Sequence, residues 1–350
     1  MEAKRKSHNQ VPGHRRPGVV LLKIKRSCNA QEGDYHGECM GCKKSLGRTW
    51  RLPCLRLKIG DVELSKPCQV KGHEWTLRWK ENSVLNDIGG WASSEVRVIR
   101  LTEGYTDDFV EFRVREFIPK AGDSLRRSWM TPTGEVRSVD IPAYAIVDTD
   151  TIVPQYKAYI KKGLTKCCHR VLDEHKGKLI WWTYSDALRL SRLPSPLSVE
   201  ERKVLSDTLE LWMAVRLTTR SFEIVGPETL GMPPNIFDET NPSCGKIPIP
   251  PVMGAQLDSS LIHEIQFRSR RTALEGLHKL ITENKAKSWL TTYLIIFILL
   301  HNTALLMKHD ASYARKHGMN DLRDSNAYED DFYFVSQLYE VNWQPRSMAI

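Results

Sequence analysis

The chain has 350 residues, of which 41% are hydrophobic and 27% charged, with a formal net charge of +9. This composition excludes collagen-like and wholly disordered polypeptides, and the length suits two or three structural units. The charge is concentrated: residues 1–58 hold fourteen Lys and Arg against four Asp and Glu, a net +10, so the remainder is close to neutral. Such a basic end meets phosphate or an acidic surface, or else stays a solvated tail.

Met1 to Arg16 is polar and charged and lacks the apolar core of a secretory signal, so a cytosolic or nuclear protein with reduced thiols is expected. Three short basic clusters follow one another: Lys4-Arg5-Lys6, Arg15-Arg16 after His14, and Lys23 to Arg26. The first two are candidate nuclear-import residues. Between residues 23 and 54 the chain places four of its eight cysteines. Cys39-Met40-Gly41-Cys42 is the compact spacing that lets two thiolates bind one tetrahedral zinc, with Cys28 and Cys54 as candidates for two further ligands. Lys23, Lys25 and Arg26 precede this knot, and Lys43, Lys44 and Arg48 follow it. A zinc segment flanked by such side chains points to nucleic acid, and these six are the candidate DNA contacts.

Residues 96–101 and 109–117 alternate apolar with polar side chains, the pattern of half-buried strands. Trp129-Met130, Thr131-Pro132-Thr133-Gly134 and Glu135 to Val139 spell a hairpin closed by a Pro/Gly turn. A small antiparallel β unit is therefore expected. Trp75, Trp79 and Trp91, which lead into it, suit a core better than a base-stacking platform.

The pattern turns helical from about residue 151. Ser198-Val199-Glu200-Glu201 is a capping box that opens a helix with Leu205, Leu209, Trp212 and Val215 on one face. Gly226 to Gly254 carries seven prolines and is expected to be an irregular connection. Two more helices should follow, one through Leu257, Leu261, Ile265, Leu274 and Leu277, the other from Trp289 to Met307. The apolar run Trp289 to Leu300 has twelve residues, whereas a membrane span needs about 20. It is expected to be a core helix with no membrane partner, and His301, Asn302 and Thr303 should be satisfied within the bundle.

No G-x-S-x-G elbow, Walker lysine loop, G-x-G-x-x-G turn or H-E-x-x-H helix occurs, so an enzyme is not expected. Cys167-Cys168-His169 with His175 reads as a partly buried helix face rather than a metal site. The expected fold is α+β and multi-domain: a basic cysteine-rich zinc and DNA-binding segment at 1–60, a small antiparallel β unit at 61–150, and a mainly helical regulatory or interaction domain at 151–350.

The basic run before Cys28, the Cys39/Cys42 pair and the distal Cys54 resemble the latter two-thirds of a fungal zinc binuclear-cluster DNA-binding domain. Further likeness to fungal regulators of that family lies in Arg51 to Ile59, Gly122-Asp123-Ser124, Lys246 to Pro251, Trp289 to Asp310, and Tyr313 to His317. The family's cluster uses six cysteines for two zincs, and its first pair is missing here. Counted back by the family spacing, those positions hold Gly18 and Leu21. One zinc held by the four remaining thiolates, a site completed by His8, His14 or His36, and a defective cluster all stay open. The resemblance implies a nuclear transcription regulator that contacts DNA, mainly through phosphates, and that can bind protein partners through its helical domain. Its rivals are an interaction protein that has lost DNA binding and an enzyme of unrecognised type.

Overall fold

The structure, a computed structural model, describes residues 88–194, 196–283 and 285–316, together with 64, 74–79 and the residue pairs 19–20 and 27–28. The chain divides into two compact units, Met1–Asp61 and Val62–Ile350. In the first, β1 (Val19–Val20) pairs antiparallel with β2 (Ser27–Cys28).

The second unit is a mixed α+β body. β3 (Arg97–Thr102) and β4 (Val110–Glu116) alternate buried with exposed residues, as the sequence pattern predicts. Ile99, Leu101, Phe112 and Val114 form the buried face, at most 1% exposed. β5 (Arg126–Met130) and β6 (Val136–Asp140) make the expected hairpin, with Trp129 opposite Arg137. Its turn closes through Thr131 N–H to the Glu135 carbonyl at 2.8 Å, and Gly134 takes the positive φ of 84° that the turn needs. β7 (Tyr144–Ile146) then pairs with β4.

Three helices follow: α1 (Ile152–Val171), α2 (Leu179–Leu190) and α3 (Val199–Thr218). The capping box at the start of α3 is complete. The Ser198 hydroxyl accepts from Glu201 N–H at 3.2 Å, and the Glu201 carboxylate accepts from Ser198 N–H at 3.0 Å. The single apolar face predicted for α3 describes only its first half. From Leu211 to Thr218 every residue is buried, so α3 is the central helix of the bundle.

After α3 the chain returns to the sheet. β8 (Glu223–Val225) pairs with β3, and β9 (Ile247–Pro248) pairs with β8, all antiparallel. The five-stranded order is β7-β4-β3-β8-β9, so its strands come from both sides of residue 150. Pro248 sits in the edge strand β9, where a missing N–H disturbs no further ladder. The other edge is covered by one side chain. Gln256 accepts from Ile146 N–H at 2.8 Å and donates to its carbonyl at 3.1 Å.

The proline-rich stretch is irregular up to β9, but its last residues are helical: α4 (Pro251–Ser259) starts with proline in the first turn, where the ring is tolerated. A π-helical segment, Ser260–Gln266, leads without a break into α5 (Phe267–Glu283). Gly254 on α4 lets Trp75 approach closely, since a Cβ there would stand 2.2 Å from the indole ring. Trp79 and Trp91 pack against Ile88, Phe117, Ala145 and Val252. All three tryptophans serve the core.

The last helix, α6 (Trp289–Lys316), has 28 residues. The stretch Ala286–Ser312, which begins one turn before α6, contains an 18-residue window of mean hydropathy 1.8 and is long and apolar enough to cross a bilayer. The expectation that this run is too short therefore does not hold, because the helix continues through His301 and beyond. What marks it as a core helix is its packing: 56% of the apolar window is buried, with Thr291, Asn302 and Thr303 among the fully buried residues.

Candidate functional site

Of the four candidate zinc ligands only Cys28 falls among the described residues, by its backbone in β2. Cys39, Cys42 and Cys54 lie outside them, as do Lys23, Lys25, Arg26, Lys43, Lys44, Arg48, Lys4, Arg5, Lys6, Arg15 and Arg16. Among the described residues no three His, Cys, Asp or Glu side chains stand where they could hold a metal ion. Cys167 and Cys168 are both buried thiols, and burial pushes Cys167 up to about 12. The His169 ring stacks on Trp181 at 5.1 Å. The helix face here is partly buried, with both thiols inside and His169 exposed, while His175 lies in the turn that follows the helix.

The chemistry on display is internal and comes as two buried polar networks. The first lies between the sheet and α1. The loop after β3 carries Glu103, 1% exposed, which accepts a hydrogen bond from the Tyr156 hydroxyl at 3.0 Å. Tyr159, one turn on, shares a 2.9 Å bond with Thr106 of the same loop. Outside, Arg170 donates to the Gly104 and Thr106 carbonyls and to Asp107, clamping the loop to α1. Burial raises the Glu103 carboxyl to about 7, although its Tyr156 hydrogen bond pulls the other way. Its second oxygen, Oε2, has no hydrogen-bond donor among the described residues.

The second network sits inside the bundle. Arg216 on α3 is 4% exposed and donates through Nη2 to the Asn302 side-chain oxygen on α6 at 2.8 Å. No carboxylate pairs with it among the described residues. The acidic groups that interact with its charge are Tyr105, Tyr184 and Cys167, all too weak to ionise at neutral pH. Trp212, one turn before Arg216, faces it at 6.0 Å and packs on Tyr184 of α2 at 5.3 Å. The Tyr184 hydroxyl meets His301 Nδ1 at 2.8 Å. His301 is held down to about 4, first by burial and then by the Arg216 charge, so it is neutral at physiological pH. His301 and Thr303 are thus bonded within the bundle, as the sequence led us to expect, whereas Asn302 is bonded only through its side-chain oxygen. Three buried donors here have no acceptor among the described residues: Arg216 Nε, Trp212 Nε1 and Asn302 Nδ2. No sequence signal marks this, since Arg216 lies within a helix whose pattern reads as one apolar stripe.

The outer face of the sheet carries a shallow groove of about 360 Å³ lined by Val98, Glu111, Arg113 and Asp148. Its charges are already matched, Arg113 to Asp148 at 3.1 Å and Glu111 to Arg100 at 2.9 Å. It therefore offers no unmatched charge to a ligand.

A sequence model of the family described as "KpeA transcription factor" matches residues 66–334. The satratoxin biosynthesis SC3 cluster transcription factor SAT20 of Stachybotrys chartarum is 22% identical over 326 residues, 87% of this chain. The chain spans 40% of that relative's length. No solved structure matches.

Proposed function

The chain belongs to the KpeA transcription factor family, and from that premise we propose that it is a nuclear regulator that reaches DNA through residues 1–60. In this reading Cys28, Cys39, Cys42 and Cys54 hold one zinc, while Lys23, Lys25, Arg26, Lys43, Lys44 and Arg48 contact phosphates. Lys4, Arg5, Lys6, Arg15 and Arg16 direct nuclear import. The sheet-and-bundle body controls the segment or binds protein partners, and the chain carries out no catalysis. One observation carries this: the net +10 of residues 1–58, beside a remainder that is close to neutral. A zinc ion there would cross-link the segment by its thiolates and orient the basic side chains.

With the ligands equivalent to Gly18 and Leu21 missing, the zinc segment lacks the metal bridge that in the related family positions a helix in the major groove. Affinity then comes from phosphates and base discrimination is weak. The test is titration of the full chain against two unrelated duplexes at several salt concentrations. With about four phosphate contacts, log K falls with log salt at a slope of roughly −3.6, and replacing Lys25 and Arg26 by Ala flattens it by about 1.8. Salt-insensitive binding, or none at low salt, favours a regulator that works through protein partners alone.

A further inference from the structure

We propose that the junction of Arg216, Trp212 and Asn302 binds one compact anion inside the helical bundle, of the chemistry shared by chloride and by the carboxylate of a small organic acid. The proposal goes beyond the DNA reading and stands whether or not residues 1–60 bind DNA. Its ground is an imbalance of donors. Arg216 Nε, Trp212 Nε1 and Asn302 Nδ2 are buried without an acceptor among the described residues, on residues 4%, 1% and 0% exposed.

None of the three can resolve this alone. The guanidinium does not lose its proton at any physiological pH, and the indole N–H is only a donor. The Asn302 amide is fixed in orientation, because its oxygen accepts from Arg216 and a turned amide would set an N–H against the guanidinium. The charge is also uncompensated. Arg216 has an amide and a backbone carbonyl as acceptors where a buried cation ordinarily has a carboxylate. The neighbouring His301 is neutral, so it neither adds to nor cancels that charge. A water molecule would accept two of the hydrogen bonds and leave the charge as it is. An anion satisfies the donors and the charge together. The site joins α3 to α6, with Tyr184 of α2 against both, so occupancy locks the centre of the bundle.

The experiment measures the melting temperature of the full chain at fixed ionic strength, replacing sodium methanesulfonate by chloride, formate or acetate. A saturating rise of at least about 3 °C is expected with one of these anions, lost in Arg216→Met and in the double variant Arg216→Met/Asn302→Leu, and weakened in Arg216→Lys. A response to chloride alone marks a halide site, and a stronger response to formate or acetate marks a carboxylate-bearing ligand. Chloride-35 line broadening on the wild-type protein, displaced by formate or acetate, gives the same answer should the Met variants not fold. An equal rise in wild type and a folded Arg216→Met protein overturns the proposal. So does the absence of both a rise and broadening in the wild type.

Discussion

The two buried networks carry opposite imbalances, and the chemistry of each decides what can relieve it. At Glu103 an acceptor, Oε2, has no donor among the described residues, and burial raises the carboxyl to about 7, so uptake of a proton can remove the buried charge. At Arg216 there are three donors too many, and no member of the set can titrate them away. A fold can thus carry a buried acid as a self-adjusting group, whereas a buried arginine has to be answered by another molecule or by structural cost.

The sharpest way to break this comparison is to remove the one side-chain acceptor that Arg216 has. Asn302→Leu leaves the cation with only a backbone carbonyl and should destabilise the protein by about 3–5 kcal/mol in denaturant titration. Arg216→Met/Asn302→Leu should recover most of that loss, because an apolar pair strands no charge. If the double variant is no better than the single one, the burial of the charge is not what costs stability.

A comparable effect lies in pH. Glu103 holds its proton in the folded state up to about 7 and the unfolded carboxyl releases it near 4.5, so this group makes stability fall as pH rises through that window. His301 does the reverse. Folded it stays neutral down to about 4, while unfolded it protonates near 6.5, so its contribution is complete above pH 6.5 and is lost as pH falls towards 4. The Glu103 arm is on the order of 3 kcal/mol, and the two slopes partly cancel. Glu103→Gln should expose the rising profile and His301→Asn the falling one, measured by chemical unfolding at intervals from pH 4.5 to 7.5. A Glu103→Gln profile parallel to wild type would refute the assignment.

The smallest effect belongs to a network with nothing unmatched. At the start of α3 the Glu201 carboxylate accepts from Ser198 and also from the Thr291 hydroxyl of α6 at 3.3 Å. Ser198→Ala should cost about 1 kcal/mol, an ordinary cap loss with no dependence on anions.

How much of this was legible in the sequence follows the reach of each signal. The 129–139 hairpin, the alternation in β3 and β4, and the Ser198 capping box are local patterns, and the structure has them where they were read. β8 and β9 were missed because strands of three and two residues are too short to show a period of two. The start of α4 was hidden by Pro250 and Pro251, which argue against helix everywhere except in a first turn. The true length of α6 was missed because the apolar run was counted to His301, while the helix carries polar residues on inside the bundle. The buried donors are a property of three side chains on two helices, which no single stretch encodes. Apart from the backbone of Cys28, the zinc and DNA residues lie outside the described part of the chain.

The return of β8 to β3 also sets a timetable. Leu101 pairs with Ile224, 123 residues later, so during synthesis one side of β3 has no native partner until α1, α2 and α3 have been made. At about 5–20 residues per second that wait is roughly 6–25 s. Over this interval the nascent chain presents an open strand edge to its neighbours on the polysome, so translation speed between residues 102 and 224 governs how much of the product folds alone and how much is lost to strand exchange.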